Sequence, residues 1–170
     1  ATASGAVVIS DQAGPVAIKA MTAGRVYDPG VTDSSNLGAA MAQSAYETLN
    51  TFFRDSGTGP DDYDLIATGD LASIGEGIVR TLFSKDGVEL GSNYIDCGNL
   101  LFTPEQEVQA GASGCGCSSA VLCAHLLPEM VAGRVKRLLF AGTGALFSPT
   151  SANQGESIPG ICHLVMLEKV

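Results

Sequence analysis

The chain has 170 residues, 45% hydrophobic and 16% charged, with 21 glycines, a composition of folded chains rich in tight turns and outside the high-charge regime of disorder. A formal net charge of -9, with no cluster of Lys or Arg, argues against non-specific binding to nucleic acid or anionic lipid. No apolar run reaches the roughly 18 residues of a spanning helix and the first residues lack a signal-peptide pattern, so membrane contact is expected to be indirect.

Two apolar runs, Ala6 to Ile9 and Val16 to Met21 continuing to Tyr27, read as strands separated by the Gly14-Pro15 turn. Asp28-Pro29-Gly30 ends the second. The stretch Thr32 to Asn36 then offers helix caps before Leu37, Met41, Ala45, Leu49 and Phe52 recur at helical spacing, and this helix should stop near Gly57. Tyr63 to Ala67 reads as a short strand. Ile74, Ile78, Leu82 and Phe83 mark a second amphipathic helix closed at Gly87. From Asn93 to Val108 the pattern is irregular, with a short strand at Tyr94 to Cys97. Ser113 to Leu127 carries almost no charge on any side, so as a helix it should be covered all round, and Pro128 should bend or break it. Gly133 is a helix stop. Val135 to Ala141 and Gly160 to Leu167 are apolar strands joined by a polar loop, Ser148 to Ser157, in which Pro149 does not open a convincing helix. Alternating strands and helices predict one α/β domain: a largely parallel, layered sheet with a buried central helix.

The five cysteines, Cys97, Cys115, Cys117, Cys123 and Cys162, are an odd number and fit a reducing, intracellular compartment better than a disulfide framework. The last four lie in apolar stretches and read as small buried residues. Histidines 125 and 163 also read as core residues. Cys117, Cys123 and His125, offset by six and eight residues along a helix, do not converge on a metal, and Asp61, Asp62 and Asp64 read as a solvated strand entry. No metal or cofactor is expected.

The most informative stretch is Gly111-Ala112-Ser113-Gly114-Cys115-Gly116-Cys117-Ser118-Ser119-Ala120. Its glycines allow close approach of a ligand to the backbone, and amides at a helix start favour an anion or a carbonyl oxygen. Tight packing of a buried helix accounts for the same small residues. Gly114-x-Gly116 is not a dinucleotide fingerprint, since no clear strand precedes it, Ser119 replaces the third glycine and no acidic residue stands near Arg134. Gly142-x-Gly144 reads as a tight turn.

The segments Tyr63 to Leu71, Asn93 to Gly98, Gly111 to Ala120 and Gly142 to Thr150, closed by Glu156-Ser157-Ile158-Pro159, resemble in order and spacing the C-terminal half of the stage V sporulation protein AD family. That family is similar in fold to thiolases and ketoacyl synthases, which are built from two related halves; the resemblance implies that the N-terminal half is absent here. It further implies non-catalytic binding of dipicolinic acid, alone or as its calcium chelate, and membership of the stage V sporulation A membrane complex that moves it. The expected place is then peripheral, at the inner membrane of the developing spore. Partners so implied are the N-terminal half, the membrane subunits and, through an exposed apolar face, a second copy.

Acyl transfer on such a fold needs a nucleophilic Cys, a base and oxyanion donors. Where related enzymes carry a histidine this sequence reads Thr68-Gly69-Asp70, and where thiolases carry a second Cys it reads Ala141-Gly142-Thr143-Gly144. An acyltransferase or condensing enzyme acting on coenzyme A thioesters is therefore the alternative, not the leading expectation. The candidate ligand-binding residues are Thr68, Gly69, Asp70, Ser113, Gly114, Cys115, Gly116, Cys117, Ser118 and Gly144, with none catalytic.

Overall fold

The computed structural model describes residues 2–170. Five strands form one sheet in the order β1-β5-β4-β2-β3, with β1 at Val16–Thr22, β2 at Leu65–Thr68, β3 at Tyr94–Asp96, β4 at Arg137–Ala145 and β5 at Gly160–Lys169. The sheet is mixed rather than largely parallel: β2 pairs in parallel with β3 and β4, whereas β5 runs antiparallel to both β4 and β1. The cause is connectivity. Helices packed on the sheet faces return the chain to β3 and β4, but the loop 146–159 turns β4 back alongside itself into β5, and such a hairpin-like return gives an antiparallel pair.

Helices α1 (Leu37–Ser56) and α2 (Ala72–Lys85) cover one face of the sheet. On α1 the residues Met41, Ala45, Leu49 and Phe52 are buried, as their spacing requires, and the Asn36 side chain caps the helix by accepting the Ala39 amide at 3.4 Å. Gly57, at φ 67, ends it in a left-handed conformation that glycine adopts without strain. Strand alternation divides the core. Ile66 and Leu139 face α1 and α2, while their neighbours Ala67 and Leu138 face the central helix on the other side.

The central helix spans 117–131 and continues through Pro128, with a π-type segment at Leu122–Leu126 between α-helical turns at Cys117–Val121 and Leu127–Val131. Proline has no N–H to donate one turn back, and the widened turn just before it accommodates the break in the ladder, so the helix is neither ended nor split. Nor is it covered all round. Cys117, Val121, Leu126 and Met130 are buried, but Ala124, His125, Pro128 and Val131 are exposed.

Other expectations are corrected. Residues 6–9 form no strand; Val7, Val8 and Ile9 are 53%, 96% and 75% exposed, and their β-branched run pairs with no strand among the described residues. β1 ends at Thr22, and Tyr27 contributes only an isolated bridge to Gly160. The polar loop does hold a one-turn helix, Pro149–Asn153, capped by the Ser148 side chain and opened by a proline in its first turn. Among the expected core residues, His125 and His163 are exposed; the Nδ1 of His163 accepts the Gly24 amide at 3.0 Å. Cys115 is exposed and Cys123 half-buried, whereas Cys97, Cys117 and Cys162 are buried.

Candidate functional site

The parallel strands β2, β3 and β4 end on the same side of the sheet, the side where open α/β sheets hold their crevice. Thr68 and Asp96 close β2 and β3, and the loop that enters the central helix is tied beside them where Ala112 N donates to Gly98 O at 2.8 Å. Asp96, 1% exposed, accepts four hydrogen bonds: from Thr68 Oγ1 at 2.7 Å, Leu71 N at 3.0 Å, Ala72 N at 2.8 Å and Gly98 N at 2.8 Å. Burial pushes its carboxyl up to about 6, against the opposite pull of the Thr68 hydroxyl and the Leu71, Ala72 and Gly98 amides. The turn that it holds is strained, for Ala72 sits at φ 53, a left-handed conformation costly for a residue with a Cβ.

That turn carries Asp70, whose side chain is nearly buried. Its Oδ2 accepts Ser113 Oγ at 2.8 Å and Gly114 N at 2.9 Å, and its Oδ1 accepts Thr143 Oγ1 at 2.7 Å. Thr143 Oγ1 in turn accepts the Asp70 amide at 2.9 Å. The chain thus supplies a carboxylate of its own to the first donors of the glycine loop. Beyond them, Cys117 N donates to Gly114 O at 2.9 Å, while the amides of Cys115 and Gly116 have no partner among the described residues.

The predicted residues therefore divide. Asp70, Ser113 and Gly114 meet in one hydrogen-bonded cluster, with exposed Cys115 beside it. Thr68 points instead to Asp96, and Gly69 packs so tightly that a Cβ there would lie 2.4 Å from Thr143 Oγ1. Gly116 is pressed against the carbonyl of Ala3, and Cys117 is buried with its thiol 3.8 Å from Gly69 O. Ser118 is half-buried on the first turn of the helix. Gly144 lies in strand register opposite Ile161; its neighbour Thr143 is the residue of β4 that reaches Asp70. Burial and the nearby carboxylates of Asp70 and Asp96 push the Cys117 thiol up to about 11.

Thr143 and Asp96 were not singled out by sequence reasoning. Asp96 had a local signal, an Asp closing a short strand two residues before a glycine, the pattern in which the carboxylate caps its own turn. Thr143 had none, since its partner is 73 positions away. A cavity of about 400 Å³ lies elsewhere, between the end of β1 and α1, lined by Thr22, Arg25, Glu47, Thr48, Thr51 and Arg54 among others; no residue of the glycine loop reaches it. No group of three or more His, Cys, Asp or Glu suited to a metal occurs among the described residues.

The sequence pattern of the stage V sporulation protein AD family matches residues 1–168. The chain belongs to that family. It is 45% identical over 168 residues to the stage V sporulation protein AD of Bacillus subtilis (strain 168), covering 99% of this chain and 50% of that protein, so it spans about half the length of this family member. Two solved structures are similar more distantly: 3-oxoacyl-[acyl-carrier-protein] synthase III from Aquifex aeolicus VF5, at 15% identity and TM-score 0.47, over 94% of this chain and 46% of that one; and AbyA1, a tetronic acid condensing enzyme, at 13% identity and TM-score 0.49, over 94% and 49%. In this chain the cluster described above is formed by Asp70, Ser113, Gly114 and Thr143.

Proposed function

We propose that this chain acts in sporulation as a non-catalytic ligand-binding part of the assembly that takes up dipicolinic acid, and that it receives one carboxylate of the ligand at the amides of Cys115 and Gly116. The observation that supports this most is that these two amides, at the start of a helix of about four turns, lack partners among the described residues while the donors beside them are already taken by Asp70. With Asp70 adjacent and a net charge of -9, the neutral calcium chelate suits the site at least as well as the free dianion. The acyltransferase alternative has weaker support: burial and neighbouring carboxylates hold the Cys117 thiol well above the range where a thiolate nucleophile forms.

The working unit in this reading includes the other half of a family-length protein. Three features support it: the chain spans about half of its relative, the apolar central helix is open along Ala124 and Val131, and Val7 to Ile9 lie exposed. No helix among the described residues is long and apolar enough to cross a membrane, so placement at the inner membrane of the developing spore would depend on membrane subunits of the complex. Calorimetry of the chain joined to its companion half, titrated with dipicolinate with and without calcium, tests the ligand. Saturable heat that is lost when Cys115 is replaced by Pro, which deletes one amide, is expected; no heat at millimolar ligand overturns the proposal. Light scattering of the isolated chain is expected to show self-association or, with the companion, a one-to-one complex.

A further inference from the structure

Three separate stretches of chain meet around Asp96. The Gly69–Ala72 turn is bound to it through the Leu71 and Ala72 amides, and the Gly98 turn through its own amide. The approach to the glycine loop is tied to these two turns rather than to Asp96 directly: Ser73 N donates to Ala110 O at 2.9 Å and Ala112 N to Gly98 O at 2.8 Å. The spacing leaves no slack. A Cβ on Gly98 would lie 2.3 Å from Ala112 O, and one on Gly111 would lie 2.9 Å from Gly98 O and 3.2 Å from the Ala72 Cβ. Within this packed hub only one described residue of β2, β3 or α2 breaks a conformational rule, and it is Ala72, left-handed at φ 53. A left-handed alanine persists only where its surroundings over-determine it, and here the over-determining group is the carboxylate that binds its amide. The same turn presents Asp70 to Ser113 and Gly114.

We propose that Asp96 is a positioning residue for the glycine loop: it holds the Gly69–Ala72 turn in its strained form, and the strained turn fixes Asp70 on the loop donors. The hydrogen bonds of Asp96 go to Thr68, Leu71, Ala72 and Gly98, so its effect on the loop passes through the turn. The importance of this to ligand binding rests on reading the loop as the site, but the test needs no ligand and stands or falls separately from that reading.

The test follows the hydrogen exchange of the Gly114 amide and the rate at which the Cys115 thiol reacts with a disulfide reagent, with Cys123 in the same chain as the internal reference. Asp96→Asn is expected to speed exchange of the Gly114 amide by about tenfold, the size of one lost charge-assisted hydrogen bond, and to change the ratio of Cys115 to Cys123 rates. Adding Ala72→Gly, which needs no carboxylate to hold a left-handed turn, is expected to restore most of the protection. A core variant of matched stability loss, Val79→Ala, is expected to leave the ratio of Cys115 to Cys123 rates unchanged. If Asp96→Asn does not fold, Thr68→Val, which removes one of the four donors, takes its place in the same comparison. Unchanged Gly114 and Cys115 rates in the folded variant, failure of Ala72→Gly to restore them, or an equal effect of Val79→Ala would each overturn the proposal.

Discussion

Asp70 Oδ2 accepts the Gly114 amide at 2.9 Å, across 44 positions of sequence. The bond joins the end of β2 to the start of the central helix, so two layers of the fold are registered to each other at one carboxylate. Asp70→Ala removes the carboxylate that accepts from Ser113, Gly114 and Thr143 in a nearly buried place. The expected loss is about 2 to 4 kcal/mol of unfolding free energy, measured by urea denaturation. A loss below about 1 kcal/mol would mean that water replaces the carboxylate at little cost.

Helix α1 crosses α2 at a contact made of backbone. A Cβ on Gly38 would lie 1.9 Å from Leu71 O, and one on Gly75 would lie 2.6 Å from Gly38 O. Gly38→Ala is expected to destabilise the chain by about 2 to 3 kcal/mol, because neither helix backbone can retreat without uncovering the core between them. Gly77, on the exposed side of α2, has nothing within 4 Å of its would-be Cβ. Gly77→Ala is expected to stabilise by about 0.5 to 1 kcal/mol, the ordinary helix preference. Thermal melts of the two variants should therefore move in opposite directions, and a shared direction would refute the packing argument.

These positions also indicate how far the sequence could be read. The period of Met41, Ala45, Leu49 and Phe52 located α1 and its buried stripe, because the signal is repeated over about three turns and is answered locally by caps at Asn36 and Gly57. Val7 to Ile9 carried an equally good strand signal and formed no strand, since a strand needs a neighbour and sequence pattern does not report whether one is present. The glycine loop was legible as a place of close backbone approach. That its first donors would be filled by Asp70 was not, for the pairing depends on how β2, β4 and the central helix are juxtaposed. Histidines 125 and 163 were misread for a related reason: apolar neighbours in sequence do not say which side of an element faces water.

Asp96 gives a pH dependence whose sign can be worked out. Its carboxyl lies at about 6 in the folded chain against an ordinary value of 3.8, so the folded state binds the proton more tightly than the unfolded state. Stability from this group is fully present below about pH 3.8 and is lost as pH rises through about 6, by about 3 kcal/mol in all. The exposed Asp28 and Asp33 are held below their ordinary value by hydrogen bonds from Ser157 and Ser35, with the amide of Gly30 also bonding Asp28, and act in the opposite direction. Subtracting the stability profile of Asp96→Asn from that of the native chain isolates the Asp96 contribution. The difference should fall with rising pH, and carboxyl carbon NMR should place the Asp96 midpoint near 6; a midpoint at or below 3.8 would reverse the slope.

The five thiols should sort by burial rather than by sequence neighbourhood. Cys97, Cys117 and Cys162 are buried, and burial is the largest cause raising all three thiols, Cys117 to about 11 and Cys162 to about 12. In the native chain they are expected to react with a thiol reagent only through opening of the core, at rates that follow stability. Cys115 is exposed and should react first. Cys123 is screened by the chain at residues 3–6: its thiol donates to Ala6 O at 3.6 Å, and a Cβ on Gly5 would lie 3.0 Å from its sulfur and 2.3 Å from Ser119 O. Gly5→Val must therefore lift this segment off the helix, and it is expected to speed Cys123 by about tenfold while leaving Cys97, Cys117 and Cys162 as slow as before. Equal acceleration of all five would instead show that the segment supports the whole core, and an unchanged Cys123 would show that it does not cover the helix in solution.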